Sequence, residues 1–381
     1  MSFDSLGLPN YFHEALLTEN YTKPYPIQEK AIPAILDQKD LLGIAQTGSG
    51  KTASYVLPIL SNLKGYKTSS SRHPAVLVLV PTRELAIQVD TVFKQFGTAV
   101  PHKVKSMAIY GGTSKNVQMQ RLINVNVLIA TPGRLLDLLE SNAMHLSEVK
   151  ILVLDEADKM LNIGFKKEMD EILGFLPKKR QNLLFSATLS PKIENIKQML
   201  LHDPVVIEIA PEEQNIDLIN QIAYSTSNEE KGPLLRKLIT SKKMEQVLVF
   251  TSSVHQADIV TTKLNKNDIK ARAIHSKKSQ SSREESLTLF KAKKITVLVA
   301  TDLLSRGVDI QFLPYVINYE LPRSPKDYVH RIGRTGRAEN PGEAISFITP
   351  DAEHHFKIIQ KKMKKTVEIV EVMDTKEFIE S

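Results

Sequence analysis

The sequence contains no cysteine and no long apolar run. Without cysteine, the chain can form neither disulfide bonds nor thiolate metal sites. No segment approaches the roughly 20 apolar residues that a membrane-spanning helix needs. The first residues, MSFDS, show neither the basic start nor the apolar stretch of a targeting signal. These absences exclude disulfide-stapled and membrane-spanning proteins, and a cytoplasmic protein is therefore our prediction.

The composition predicts a globular protein with two domains. Apolar residues make up 42% and charged residues 24% of the 381 positions, as in ordinary globular proteins. A chain of this length exceeds one average domain. The net charge of +7 is spread along the chain rather than gathered in one arm. Such a basic excess permits a polyanionic partner without identifying one.

Short apolar runs followed by polar or small residues recur along the chain. They lie at Leu41–Ile44, Val76–Val80, Val127–Ala130, Leu152–Leu154, Leu183–Phe185, Val247–Phe250 and Val297–Ala300. Helical patterns, such as Gly164–Leu176, lie between them. Strands alternating with helices predict an α/β fold with right-handed crossovers and parallel sheets. The polar clusters that follow the strands should therefore lie along one edge of a sheet.

The segment Ala210–Asn228 lacks a strong apolar run and divides the strand-rich halves. We predict domains at 1–208 and 219–381, with a linker at 209–218. After Arg337 we expect one further strand, Ala344–Ile348, and then a helix. The lysine cluster at 361–365 is typical of a solvated helix face rather than a binding tail.

Residues 45–52 read AQTGSGKT, which has the Gly-Lys-Thr ending of a phosphate loop. A strand pattern precedes it and a helix pattern follows it, as such a loop requires. Glycines allow successive backbone N–H groups to point at phosphate oxygens. We expect Lys51 to contact the β and γ phosphates and Thr52 to ligate Mg²⁺. Ala45 departs from the general pattern, which has glycine at this position.

The acidic sequence Asp155-Glu156-Ala157-Asp158 directly follows the apolar run Ile151–Leu154. Ligands bind beyond the carboxyl ends of strands in open α/β sheets, so this acidic pair should face a site. One carboxylate can hold Mg²⁺ and its neighbour can activate water. The alternative is that these residues only begin a helix, where they suit the positive end of its dipole.

Two further segments carry functional and structural interpretations. Tyr21–Gln28 offers an aromatic face and an amide that suit adenine, or it is a proline-rich turn around a buried tyrosine. His330–Arg337 contains three arginines spaced by glycines. Arginines stabilise the charge of a transferring phosphoryl group, although a basic cluster can also be a solvated patch.

Taken in order, these motifs resemble those of the DEAD-box ATP-dependent RNA helicases. The resemblance extends from Phe3 to Arg337. It also includes 81–86 (PTRELA), Gly111-Gly112, 131–134 (TPGR), 186–188 (SAT), 249–251 (VFT), 280–283 (QSSR) and 300–309 (ATDLLSRGVD). Departures are mild: Asn20, Tyr21, Tyr25 and Ser305 stand where the family usually has Gly, Phe, Thr and Ala.

The resemblance implies two RecA-like domains, each a parallel sheet flanked by helices, with ATP in the cleft between them. The implied nucleotide-binding residues are Tyr21, Gln28, Gln46, Thr47, Gly48, Ser49, Gly50, Lys51, Thr52, Gly307 and Asp309. Thr52 ligates Mg²⁺ and Asp155 orients it through water. Glu156 is the implied general base on the attacking water. Arg334 and Arg337 resemble arginine fingers.

The resemblance also implies coupling and RNA-binding residues. Ser186 and Thr188 would couple the ATP site to movement, and His330 would join Asp158 across the cleft. The implied RNA-binding residues are Pro81, Thr82, Arg83, Gly112, Thr131, Arg134, Thr251, Arg283, Thr301 and Asp302. Glycines, hydroxyls and arginines contact phosphates and sugars without reading bases, so we expect sequence-independent RNA binding.

We therefore predict an ATP- and Mg²⁺-dependent RNA helicase that acts as a monomer, with protein partners supplying specificity. Two alternatives remain open at this point. One is a helicase or translocase of the same plan that acts on DNA. The other is an ATP-gated RNA clamp that nucleates an assembly and unwinds little. The sequence does not identify the target RNA.

Overall fold

The computed structural model describes residues 2–46, 48–64, 72–210, 219–302, 313–336 and 342–371. Residue contacts divide the chain into two compact units, Met1–Pro211 and Glu212–Ser381. That division falls inside the predicted linker, although 211–218 lie outside the described residues. The finer domain limits stay predictions. No helix in the described ranges is both long and apolar enough to cross a membrane.

The first unit begins with short helical turns and then alternates strands with helices. Its elements are 3₁₀ turns at Phe3–Leu6 and Asn10–Phe12, α1 (His13–Thr18), α2 (Pro26–Leu36), β1 (Leu41–Ile44), α3 (Lys51–Asn62), β2 (Val76–Leu79), α4 (Arg83–Gly97), β3 (Ser106–Ile109), α5 (Lys115–Arg121), β4 (Val127–Ala130), α6 (Pro132–Glu140), β5 (Ile151–Leu154), α7 (Ala157–Ile163), α8 (Lys166–Gly174), β6 (Gln181–Ser186), α9 (Pro191–Leu200) and β7 (Val205–Glu208).

The strands of this unit form one parallel sheet in the order β3-β4-β2-β5-β6-β1-β7. Strands β1, β2, β4 and β5 are buried along their whole length, which explains their continuous apolar runs. In β2, Val76 and Val78 join one apolar cluster and Leu77 and Leu79 join another. Each cluster fills the space between one sheet face and the helices that cover it.

The second unit repeats this plan, and its seven strands follow the same spatial order as those of the first unit. Its elements are β8 (Ile219–Ser225), α10 (Lys231–Ser241), β9 (Val247–Thr251), α11 (Val254–Asn265), β10 (Ala271–Ile274), α12 (Gln280–Lys291), β11 (Val297–Thr301), β12 (Tyr315–Asn318), α13 (Pro325–Ile332), β13 (Gly342–Ile348), a 3₁₀ turn at Pro350–Ala352, α14 (Glu353–Met363) and β14 (Glu368–Glu371). The parallel sheet has the order β10-β11-β9-β12-β13-β8-β14.

Every apolar run that predicted a strand forms one, and the predicted α/β class is confirmed. The prediction missed several other strands: β3, β7, β8, β10, β12 and β14. Four of them, β3, β7, β10 and β14, lie at sheet edges, where one side is not covered by a neighbour and apolar runs are weaker. The expectation of a single strand after Arg337 was therefore incomplete, because β14 follows β13.

Candidate functional site

The predicted site residues of the first unit lie along the carboxyl edge of its sheet. Residues 45–52, 155–158 and 186–188 follow or end β1, β5 and β6, which are neighbours in the sheet. Residues 81–83, 110–113 and 131–134 follow β2, β3 and β4, which form the other side. We call these two groups the nucleotide half and the RNA half, after the roles that the resemblance implies.

The phosphate loop of the nucleotide half curls tightly between β1 and α3. Gly48 and Gly50 have φ of +90° and +88°, in the left-handed region that glycine adopts without strain. A Cβ at Gly50 would lie 2.7 Å from Nε2 of Gln28 and 2.8 Å from Cδ2 of Tyr25. The Ser49 hydroxyl donates to the Gln46 carbonyl at 2.8 Å. Only glycine therefore fits at position 50. Thr47, which the resemblance implies in nucleotide binding, lies outside the described residues.

Gln28 ties the start of α2 to this loop. Its side chain is fully buried, its Oε1 accepts from the Tyr25 N–H at 2.9 Å, and its Nε2 donates to the Gly50 carbonyl at 3.1 Å. Tyr21 packs edge-on against Phe3 and Phe96. The Gln28 amide thus binds the backbone of the phosphate loop directly. Contacts of Tyr21 and Gln28 with adenine stay predictions.

Lys51 begins α3 and is almost fully buried. Its Nζ donates to the carbonyls of Ala45 at 2.6 Å and Gln46 at 3.2 Å. Burial lowers the pKa of Lys51, and the charges of Asp155 and Glu156 act in the opposite direction. The loop therefore holds the ammonium group of Lys51 against backbone oxygens, where the charges of two carboxylates act on it.

Asp155 lies at the end of β5 and is also buried. Burial raises its pKa to about 6, although the charge of Lys51 and a hydrogen bond from Tyr55 both lower it. The Tyr55 hydroxyl donates to Oδ2 at 2.9 Å. The other oxygen, Oδ1, is buried and has no hydrogen-bond partner within the described ranges. A buried carboxylate oxygen in this position is suited to a hydrated cation.

Thr52 and Asp155 are suited to bind Mg²⁺ together with the phosphates of a nucleotide. The described residues contain no cluster of three or more His, Asp or Glu side chains that could enclose a metal. Mg²⁺ in nucleotide sites is held by one or two protein oxygens together with substrate phosphates and water. The Thr52 hydroxyl and the free oxygen of Asp155 supply donors of that kind.

Glu156 occupies a strained turn between β5 and α7. It has φ +54° and ψ +45°, a left-handed conformation that is uncommon outside glycine. Its Oε1 lies 2.7 Å from Nζ of Lys159, and both side chains are largely buried. Strain of this kind persists where the surrounding structure fixes a functional geometry. The turn directs Glu156 and Asp155 from consecutive positions into the same edge of the sheet.

Ser186, Thr188 and Asp158 form a hydrogen-bonded chain. The Ser186 hydroxyl donates to the Thr188 carbonyl at 2.8 Å and accepts from the Thr188 N–H at 3.2 Å. The Thr188 hydroxyl donates to Asp158 Oδ2 at 3.1 Å. This chain links β6 to α7 within the first unit. His330 lies exposed on α13 of the second unit, and its predicted contact with Asp158 stays a prediction.

The RNA half is organised around the glycine turn after β3. Gly112 has φ +82°, and a Cβ there would lie 2.2 Å from Nη1 of Arg83. Arg134 donates to Oε1 of Gln118 at 2.9 Å and to the Thr113 carbonyl at 3.0 Å. Gln118 in turn donates to the Tyr110 carbonyl at 3.1 Å and to the Thr113 hydroxyl. Arg83 and Arg134 therefore bracket a bare backbone turn.

The remaining predicted residues of this half begin helices. The Thr82 hydroxyl caps α4 by accepting from the Leu85 N–H at 3.2 Å. Thr131 occupies the N-cap position of α6, which starts at Pro132, but its side chain makes no capping hydrogen bond. Pro81 and Thr131 are buried. Their helix N-termini face the edge where an anionic backbone is expected.

In the second unit, Arg331 is the centre of a buried polar network. Its guanidinium binds both oxygens of Asp302, at 2.6 and 2.8 Å, and also contacts Asn318 Oδ1 at 3.1 Å and the Glu320 carbonyl at 2.6 Å. It also lies 4.9 Å from the ring centroid of Phe250. Asp302, predicted to contact RNA, is thus held by Arg331 between β11, β12 and α13.

The other predicted residues of the second unit occupy separate positions. Thr251 is fully buried at the end of β9 and donates to the Ser253 carbonyl at 3.2 Å. Arg283 is buried on α12 beside Gln280. Thr301 ends β11, and Arg334 follows α13 in a half-buried position. Gly307, Asp309 and Arg337 lie outside the described residues.

Sequence reasoning missed four residues of these sites. Tyr55, Gln118, Lys159 and Arg331 each hold a predicted site residue through a side-chain contact. A polar group on a buried helix face was the available signal for Tyr55, because a buried tyrosine hydroxyl usually has a partner. No spacing pattern identifies that partner.

A phosphate loop, an acidic pair beside it and two parallel sheets define a nucleotide-driven protein of the helicase type. The DEAD/DEAH box helicase profile matches residues 25–196, and the helicase conserved C-terminal domain profile matches 230–339. The chain belongs to the DEAD-box family of ATP-dependent RNA helicases.

Similar proteins support that membership over most of the chain. It is 39% identical to the DEAD-box ATP-dependent RNA helicase RhpA of Helicobacter pylori, across 97% of this chain and 74% of RhpA. It is 40% identical to DEAD-box ATP-dependent RNA helicase 20 of Arabidopsis thaliana, across 91% and 70%. The solved structure of S. cerevisiae Dbp5 bound to RNA and ADP BeF₃ matches with a TM-score of 0.81 and 31% identity, covering 100% of this chain and 97% of that one. The alternative of an ATP-gated clamp with little unwinding has no support among these proteins.

Proposed function

We propose that this RNA-dependent ATPase hydrolyses ATP at the nucleotide half and uses the reaction to unwind short RNA duplexes or remodel RNA–protein complexes. The observation that carries the proposal is the convergence of Lys51, Asp155 and Glu156 at one sheet edge, all buried beside the phosphate loop. Buried charges of both signs are costly unless a ligand or partner uses them. An ATP phosphate chain together with a cation satisfies both signs.

Mg²⁺ is the cation that we propose, held by the Thr52 hydroxyl and, through water, by Asp155. When bound, it offsets the charge on the β and γ phosphates during phosphoryl transfer. Lys51 contributes a second positive charge, which is worth more in this buried setting than in water. The tie between Gln28 and Gly50 keeps the loop backbone in place for the phosphates.

Glu156 is our proposed general base. Its carboxylate takes a proton from the attacking water, and the left-handed turn at Glu156 fixes where that carboxylate points. We propose that Arg334 and Arg337 stabilise the transferring phosphoryl group, and that Gly307 and Asp309 contact the nucleotide. These four residues and His330 belong to the second unit, so they act only when the two units close on one another.

RNA is the polymer substrate, and we propose that it binds along the RNA half and along Thr251, Arg283, Thr301 and Asp302. ATP and RNA would then favour the same closed arrangement, so that each ligand strengthens binding of the other. A solved structure of yeast Dbp5 contains Gle1 and IP6. We propose that this chain also binds protein partners, that these supply its specificity, and that it acts as a cytoplasmic monomer.

The Glu156→Gln variant tests the proposal. Removing the base should lower the RNA-stimulated ATPase rate by roughly 10²–10⁴-fold, while ATP-dependent binding of single-stranded RNA persists. A filter-binding assay with ATP and a fluorescently labelled RNA would measure the second property. Glu194→Gln, at a half-exposed ion pair on α9, is the matched control and should behave as the unaltered chain. Normal hydrolysis by Glu156→Gln would overturn the assignment of the base.

Two further measurements separate the alternatives. Stimulation of the ATPase by single-stranded RNA and not by DNA excludes a DNA-acting enzyme. Displacement of a strand from a short RNA duplex excludes the clamp, whose tight ATP-dependent binding would leave the duplex intact.

A further inference from the structure

Tyr55 lies on α3, one helical turn after Lys51, and is fully buried. Its ring packs against Phe185 with centroids 5.3 Å apart, so its orientation is fixed by the core. Its hydroxyl donates to Oδ2 of Asp155 at 2.9 Å. The phenol therefore contacts Asp155, one of the two residues of the proposed metal site.

This contact decides which oxygen of Asp155 remains for other ligands. A carboxylate can rotate about its Cβ–Cγ bond and exchange its two oxygens. The rigid hydroxyl donor holds Oδ2, which leaves Oδ1 without a hydrogen-bond partner in the part of the chain that the structure describes. Residues that hold a metal-binding carboxylate in this way commonly tune metal affinity.

We propose that Tyr55 is a positioning residue for the metal site, holding Asp155 so that Oδ1 is presented to the water shell of the nucleotide-bound Mg²⁺. The inference rests on the proposed function, in which Asp155 orients that cation. It adds that a fully buried residue of α3 helps to set the geometry of the nucleotide half.

The Tyr55→Phe variant removes one oxygen atom and keeps the ring in its packing. The probe is N-methylanthraniloyl-ADP, whose fluorescence reports binding without turnover. Its affinity is measured with excess EDTA and then across a titration of Mg²⁺. We expect the concentration of Mg²⁺ at half-maximal effect to rise about tenfold, and the affinity in EDTA to stay the same.

Tyr319→Phe is the matched control, because Tyr319 is a buried tyrosine of the second unit and the change also removes one phenol oxygen. It should leave the Mg²⁺ dependence unaltered. If Tyr55→Phe also left that dependence unaltered, Tyr55 would have no positioning role. If Tyr55→Phe weakened binding equally with EDTA and with Mg²⁺, its role would be structural only, and the proposal would be wrong.

A double-mutant cycle with Asp155→Asn separates this inference from the proposed function. If Asp155→Asn shifts the Mg²⁺ dependence and Tyr55→Phe adds nothing in that background, Tyr55 acts through Asp155. If the two effects add independently, Tyr55 does not act through Asp155. If Asp155→Asn causes no shift, the metal role of Asp155 is wrong and the inference falls with it.

Discussion

The nucleotide half and the RNA half lie on the same edge of one sheet, yet they hold charge in opposite ways. Lys51, Asp155 and Glu156 are 6%, 2% and 5% exposed, and they balance charges of both signs in a dry setting. In the RNA half, Arg83 and Arg134 surround a glycine turn. Arg134 donates to neutral oxygens, and its Nε lies 3.7 Å from the exposed carboxylate of Asp137. Phosphoryl transfer needs charges that are strong because they are buried. An RNA backbone needs only accessible donors and a turn that admits close approach.

The largest expected effect comes from removing the positive charge of Lys51 from the nucleotide half. Lys51→Ala deletes the group that the loop encloses, and we expect the ATPase rate to fall by on the order of 10²–10³-fold. Lys94→Ala on α4 is the control, since it removes an exposed lysine that pairs with the largely buried Asp90 outside the nucleotide half. If Lys51→Ala weakened RNA binding without nucleotide as strongly as it lowered ATP turnover, the nucleotide half and the RNA half would not have separate roles.

The burial of Asp155 predicts a pH dependence of stability in the nucleotide half. The pKa of Asp155 is about 6 in the folded protein and 3.8 ordinarily, so the folded state holds the proton more tightly. Ionisation of Asp155 therefore lowers the free energy of unfolding as pH rises from about 4 to 6. At pH 7.5, Asp155→Asn should be more stable than the unaltered chain by roughly 3 kcal/mol, at about 1.4 kcal/mol per pKa unit.

Urea unfolding without nucleotide, at pH 4.5 and at pH 7.5, measures this effect. The two proteins should approach one another at the lower pH. A difference that is constant across the range would show that burial of the Asp155 carboxylate has no energetic cost. Asp137→Asn, on the exposed side of α6, is the control for the loss of a carboxylate.

Gly112→Ala, in the turn of the RNA half, tests whether RNA binding can be weakened without affecting nucleotide binding. Gly112→Ala strains a backbone at φ +82° and places a methyl group where the Arg83 guanidinium lies. We expect RNA affinity to fall by about tenfold, since this strain is of order 1–2 kcal/mol. Affinity for N-methylanthraniloyl-ADP should stay unchanged. Gly97→Ala, where an added Cβ meets nothing within 4 Å, is the control.

The smallest effect is expected for the amide that supports the same turn. Gln118→Leu keeps the size of the side chain but leaves the Tyr110 carbonyl and Arg134 without the contacts that it supplies. We expect RNA affinity to fall by roughly three- to tenfold, which corresponds to one net hydrogen bond. Gln95→Leu on α4 is the control. An unchanged RNA affinity would show that Arg134 alone holds the turn.

Much of the fold could be predicted because parallel strands buried on both faces require continuous apolar runs. Strands β1, β2, β4 and β5 have such runs, whereas β3, β7 and β14 lie at edges and are partly exposed. The positions of Lys51, Asp155 and Ser186 on one edge followed from the same reasoning. The apolar pattern did not identify the edge strands, because a strand with few apolar residues is placed in the sheet by pairing with its neighbour.

The sequence by itself determined the α/β class, the strand ends that carry polar residues, and the order of motifs that marks the family. Those features depend on local residue type and spacing. Only the tertiary structure decided that Tyr55 meets Asp155, that Arg134 and Gln118 hold the turn at Gly112, and that Arg331 grips Asp302. Such contacts join residues 16 to 100 positions apart, and packing between elements, not spacing along the chain, brings them together.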